Sequence, residues 1–229
     1  MVSFKKLRQM IDVKGNEKII TKELQVSSFI RLHVAVNGTT ELIQSDEEKV
    51  IVEADENLME FIEAGNAGRS LYVSTENKLR KPVFTKCHIK IYLRQVDVLY
   101  VRSNHGDVVC PSTITLSNPL DIRVQSVGNT SLAFDAPAIK VIHQGTGNIS
   151  LKGKTVKLEM KNQGVGTISA KEMIADEVTF KNMGTGDVEL FADKEISISN
   201  YGTGTILYSG NGVLKDVRQY GAGQVKHVK

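Results

Sequence analysis

The feature that most constrains this chain is a Gly-x-Gly corner that returns about every nineteen residues. In "NQGVGTISAKE", "NMGTGDVELFADKE" and "NYGTGTILYSGNG", between Asn162 and Gly212, an Asn leads into two glycines, then a polar and a β-branched residue. Taking the second glycine as anchor gives Gly147, Gly166, Gly186, Gly204 and Gly223, at steps of 19, 20, 18 and 19 residues. The series runs back to Gly128, 19 residues earlier, and to Gly106, 22 before that, with Ser126 and Asn104 replacing the first glycine. A period of this length points to a solenoid of stacked units. A phosphate loop occurs once, between a strand and a helix, so a motif in every late copy reads as scaffolding. The glycines are expected to supply positive φ at a sharp turn in each unit.

Apolar residues alternate by two on both sides of each anchor. Eight and six residues before it stand Leu120/Ile122, Ile139/Val141, Leu158/Met160, Val178/Phe180 and Ile196/Ile198, with Val98/Tyr100 and Lys215/Val217 in the end copies. Two and four residues after it stand Thr130/Leu132, Ile149/Leu151, Ile168/Ala170, Val188/Leu190 and Ile206/Tyr208. Such alternation means two short strands per unit, each with one face inward. The expected fold is therefore all-β: a single-stranded parallel β-helix of about seven coils of ~19 residues, right-handed by the crossover rule, with equal offsets stacking ~4.8 Å apart. Four residues before the anchor, Asn162, Asn182 and Asn200, flanked by His143 and Gln219, predict an amide ladder.

The front of the chain breaks the period. Residues 1–20 read as a polar, loose segment, 21–95 as strands and a cap, and 96–229 as coils continuous with that cap. "FIRLHVAVNGTTELIQS" has the pattern of a hairpin turning at Asn37-Gly38. "NLMEFIEAG" predicts one short helix capped by Asn57, burying Leu58, Phe61 and Ile62, and stopping at Gly65. Leu99 and Val101 fall at outward offsets, as if under the cap or at an oligomer contact.

These segments together, "FIRLHVAVNGTTELIQSDEEKVIVEADENLMEFIEAG…LYVST" followed by coils of "VKLEMKNQGVGTISA" type, resemble the putative auto-transporter adhesin, head GIN domain family of bacteria. The resemblance covers nearly all of residues 20–229 and implies a parallel β-helix in exported proteins. It supplies no catalytic residues.

Composition excludes several classes. A net charge of +3 is too small for a nucleic-acid footprint, and no apolar run is long enough for a transmembrane helix. The start, "MVSFKKLRQMIDVKGNEK", lacks the apolar core of a signal peptide. The expected location is periplasmic, outer-membrane-associated or cell-surface if a leader has been removed, and cytoplasmic if this is the full chain. Cys87 and Cys110 lie 23 residues apart, about one coil, a spacing that leaves a stacked disulfide open beside two buried thiols.

No metal, cofactor or catalytic cluster is expected. Asp187 and Glu189 share a coil and a face but have no third acid near them. The outward columns Asn129, Asn148, Thr167 and Ser131, Ser150, Ser169 make an uncharged amide and hydroxyl face over three coils, the candidate binding surface. The expected function is an exported, non-enzymatic binding or adhesion module presenting this face to a glycan or a surface protein. The alternatives are a structural or homo-oligomer-forming envelope protein, and a carbohydrate-active β-helix enzyme.

Overall fold

A computed structural model describes residues 11–75, 80–102 and 105–228. It is nearly all strand, wound into a β-solenoid of about seven turns. Past the first coils, single long strands such as Ile149–Asn162 and Ile168–Asn182 bend through most of a turn. Each pairs in parallel with its successor, Leu158 opposite Val178 and Asn162 opposite Asn182.

The inward offsets hold in every central coil. One column runs Leu71, Leu32, Leu99, Ile122, Val141, Met160, Phe180, Ile198, all 2% exposed or less. Burying each such side chain is worth roughly 1.5–3 kcal/mol, so every coil is held by the two it lies between. The column also corrects the first coil, where Leu99 and Val101 point inward and Val98 and Tyr100 outward. Val101 pairs with Val124, 23 residues on, whereas Val108 pairs with Thr130, 22 on. The first coil thus has one more residue between strand and corner, and a shift of one exchanges the faces. At the far end, a bulge between Ile196 and Ser197 puts Leu214 opposite Ile196. Lys215 is thereby released from its expected inward place and pairs with Glu195 at the surface.

The glycines have a cause the sequence reading missed. Positive φ is found at Gly166, Gly186 and Gly204 but not at the earlier anchors. What the anchors share is contact: a Cβ on Gly106 would lie 2.1 Å from the Gly38 carbonyl oxygen, and one on Gly186 2.2 Å from that of Gly166. The first glycines stack in the same way, Gly184 over Gly164.

Gly38 belongs to this column, so Asn37-Gly38 is a coil corner and not a hairpin. Arg31–Ala35 and Thr39–Gln44 do not pair with each other; they lie in parallel against Val98–Val101 and Val108–Val109. Ser70–Ser74 and Cys87–Leu93 form the next layer beneath. The end is closed by antiparallel strands, Ile19–Leu24 and Lys49–Asp55 on one wall and Glu63–Ala67 on the other. The predicted helix is a 3-10 turn, Glu56–Phe61, that does bury Leu58, Phe61 and Ile62. Its cap position is Asp55, because Asn57 instead holds the backbone of Asn16 and Lys14. Gly65 lies inside a strand opposite Tyr72. Within the segment read as loose, Ile11–Lys14 pairs with Arg80–Val83.

Candidate functional site

The outward columns after the anchors fall into register as the spacing requires. Thr130–Leu132 sits over Ile149–Leu151, putting Ser131 opposite Ser150, and Ser150 lies opposite Ser169. The neighbouring column carries Asn129, Asn148 and Thr167. Much of its polarity is spent between coils: Asn148 Nδ2 donates to Asn129 Oδ1 at 3.2 Å, and the Thr167 N–H to Asn148 Oδ1 at 2.9 Å. Asp107 and Asp187 do the same for the N–H groups of Asn129 and Thr205, both at 2.8 Å. Ser169 donates to Glu189, which Lys171 also holds, and these two contacts keep its carboxyl below the usual range. Asp187 and Glu189 are therefore each committed to a neighbouring coil. The Ser131 and Ser150 hydroxyls remain at half-buried, outward positions.

The columns do not stop at the first anchor. Val109, in line with Ser131, lies opposite Glu41, and Glu41 opposite Lys90; two residues earlier, Thr39 lies opposite His88. Here the polar face opens into a cavity of about 580 Å³ lined by Thr39, Glu41, Phe84, Lys86, His88 and Asp107, among others. His88 Nε2 is 3.2 Å from Glu41, and Lys86 is 2.5 Å from Glu53. The cavity mixes polar side chains with the Phe84 ring and sits where cap and coils meet. Sequence reasoning missed it because residues 21–95 were set outside the period. The signal was present in the alternation of "KCHIKIYL", whose outward set is His88, Lys90, Tyr92.

Other candidates separate. Cys110 directly follows the strand Val108–Val109, and Thr39–Gln44 lies between that strand and Cys87–Leu93. The two thiols therefore do not stack and are free, contrary to the disulfide left open by their spacing. Burial pushes both up to about 12, so neither is a nucleophile at neutral pH. Among the described residues there is no group of His, Cys, Asp and Glu that could hold a metal, and no helix long and apolar enough to cross a membrane.

The sequence model of the putative auto-transporter adhesin, head GIN domain family matches residues 28–212. The chain belongs to that family. No curated protein matches it in sequence. The solved structures it is similar to include a putative adhesin from Bacteroides fragilis, at 24% identity and TM-score 0.89 over 94% of this chain and 100% of that one. A putative adhesin from Parabacteroides distasonis aligns at 22% identity and TM-score 0.72 over 95% and 100%. A structure from the same species described as a putative lipid binding protein aligns at 17% and 0.71 over 95% and 100%. At these identities the likeness shows the fold, and this head GIN domain chain owes its site to its own residues.

Proposed function

We propose that this chain is a non-enzymatic binding module of the cell envelope or surface that holds a saccharide along the outward polar face. Asn129, Ser131, Asn148, Ser150, Thr167 and Ser169 form the track, and the cavity at Glu41, His88 and Asp107 receives its end. The observation that carries this reading is the column Thr39, Asp107, Asn129, Asn148 and Thr167, polar at every coil from the cavity onward, with Ser131, Ser150 and Ser169 beside it. A row of amides and hydroxyls at the fixed coil spacing offers repeated donors and acceptors to a repeating, hydroxyl-rich ligand. Membership of an adhesin family supports surface binding as such.

The test is a glycan array probed with the purified chain and with Ser150→Lys, which plants a long cation mid-track without touching the core. The expected result is selective binding by the parent chain that Ser150→Lys abolishes. Binding unchanged in that variant would move the site elsewhere. A blank array with capture of a surface protein, still lost in the variant, would keep the face and replace the saccharide by a protein.

A further inference from the structure

A second surface lies on the other wall, at the capped end. Tyr72, His33, Tyr100 and Arg123 occupy one outward row on four adjacent strands. The His33 ring stacks on Tyr72 at 4.3 Å between centroids and 13° between planes, and on Tyr100 at 5.4 Å and 17°. The Arg123 guanidinium closes the row 5.6 Å from the Tyr100 centroid. Burial and the charge of Arg31 hold the His33 pKa below its ordinary value, so the row is one of neutral rings.

Inside the row, each ring face is covered by its neighbour. The outer face of Tyr72 is different. The residue opposite it on the last strand of this wall is Gly65, where an added Cβ would meet nothing within 4 Å. Tyr72 is 46% exposed. An aromatic face thus looks onto a vacant place floored by backbone, with Ala67 and Ser70 the next opposed pair on one side and Glu63 and Ser74 on the other. Around it the charge is mixed, with Glu63 standing opposite Ser74 two residues before Gly65 on the same side and cations on the neighbouring strands. Arg31 lies opposite Ser70, on the same outward side as His33, and Arg102 follows Val101 with its N–H on the Val34 carbonyl. Among the described residues neither guanidinium has a carboxylate partner, whereas Arg123 is paired with Asp121.

We propose that Tyr72, Arg31 and the vacant place over Gly65 form a second binding site, for a single acidic sugar residue. The apolar face of the pyranose lies on the Tyr72 ring, and its carboxylate is taken by the Arg31 guanidinium, whose planar fork matches a carboxylate. One open ring face accommodates one ring and no run of stacked bases, which is why a sugar fits better than a single-stranded nucleic acid. The site does not rest on the polar track, which lies on a different wall.

The test is titration of the chain with 3′-sialyllactose, a galacturonate trisaccharide, lactose and oligo-dT. The expected result is that at least one acidic sugar binds about tenfold or more tighter than lactose, weakening with salt. Tyr72→Ala, Arg31→Gln and Gly65→Leu should each remove that preference, Arg31→Gln and Gly65→Leu with unchanged thermal melts because both positions are exposed, and Tyr72→Ala with a small loss from unstacking His33. Gly65→Leu is the informative variant, because it removes no contact and only fills the place. Ser150→Lys should leave this binding intact, so failure here is distinguishable from failure of the polar track. Equal affinity for lactose, no binding of either acidic sugar, or indifference to Gly65→Leu would overturn the proposal. Preferential uptake of oligo-dT would assign the site to nucleic acid instead.

Discussion

Asn182 shows how much one side chain carries. Its Nδ2 donates to Asn200 at 2.9 Å, and its Oδ1 accepts from Asn162 at 3.0 Å and from the Gly184 N–H at 3.2 Å. Replacing it with Leu leaves two buried donors unpaired, at roughly 1–3 kcal/mol each, so denaturant melts of Asn182→Leu should show a loss of about 2–6 kcal/mol. The ladder continues to Gln219, which Asn200 reaches at 3.3 Å. At its other end Asn162 spends its Nδ2 on Asn182, so its Oδ1 takes the proton of His143 Nδ1 at 3.0 Å. His143 Nε2 is then a buried atom without a partner, and burial holds the ring pKa below its ordinary value. The unfolded chain takes up the proton first, so stability should fall as pH drops below about 6.5 and level off below the folded-state pKa. His143→Asn should flatten most of that slope, leaving a remainder from His33; an unchanged slope in pH-dependent melts would contradict a His143 ring held neutral by burial. This column was legible in the sequence because identical residues recurred at one offset. Asp55 was not. It is fully buried yet ionised, because acceptance from the N–H groups of Glu17, Thr85 and Lys86 and the Thr85 hydroxyl outweighs its desolvation. Its partners lie 30 to 38 residues away, with no local pattern to announce them. Its contribution should be complete above about pH 4 and be lost as pH falls through its lowered folded-state pKa.

Among the elements, the corners decide the fold. Their glycines were visible as a period, but their cause is packing between coils, which a single turn cannot display. Gly184→Ala places a Cβ 2.1 Å from the Gly164 carbonyl oxygen and should cost about 1–3 kcal/mol, as overpacking does. Gly65→Ala, with open space and no positive φ, should be neutral or slightly stabilising by loss of unfolded-state entropy. Equal costs in thermal melts would contradict the packing explanation. The same reasoning explains the misread hairpin: Asn-Gly between two strands is also what a coil corner needs, and only Gly106 stacking on Gly38 distinguishes them. The reversal at Leu99 and Val101 came from counting out of a glycine across one extra residue. Pairing with Leu32 and Val34 fixes their direction. The candidate track was legible as columns, while its cavity depended on layers that the chain adds out of order.

The whole molecule is asymmetric along its axis. Antiparallel strands close one end, whereas Val213–Gln219 is exposed at every residue. Each coil is stabilised by its neighbours, so the far end should open first. Hydrogen exchange should release 213–227 early and 149–200 last; uniform protection would mean that the open end is covered by another molecule. The central claim, a binding face built from outward columns, has a direct readout in the side-chain amides, since this chain holds one set of Asn on that face and another in its core. Titrating the saccharide held most tightly on the array into isotope-labelled protein should shift the side-chain amide resonances of Asn129 and Asn148 and leave those of Asn162, Asn182 and Asn200 in place. Resonances of Asn129 and Asn148 that stay still while the ligand binds would contradict it.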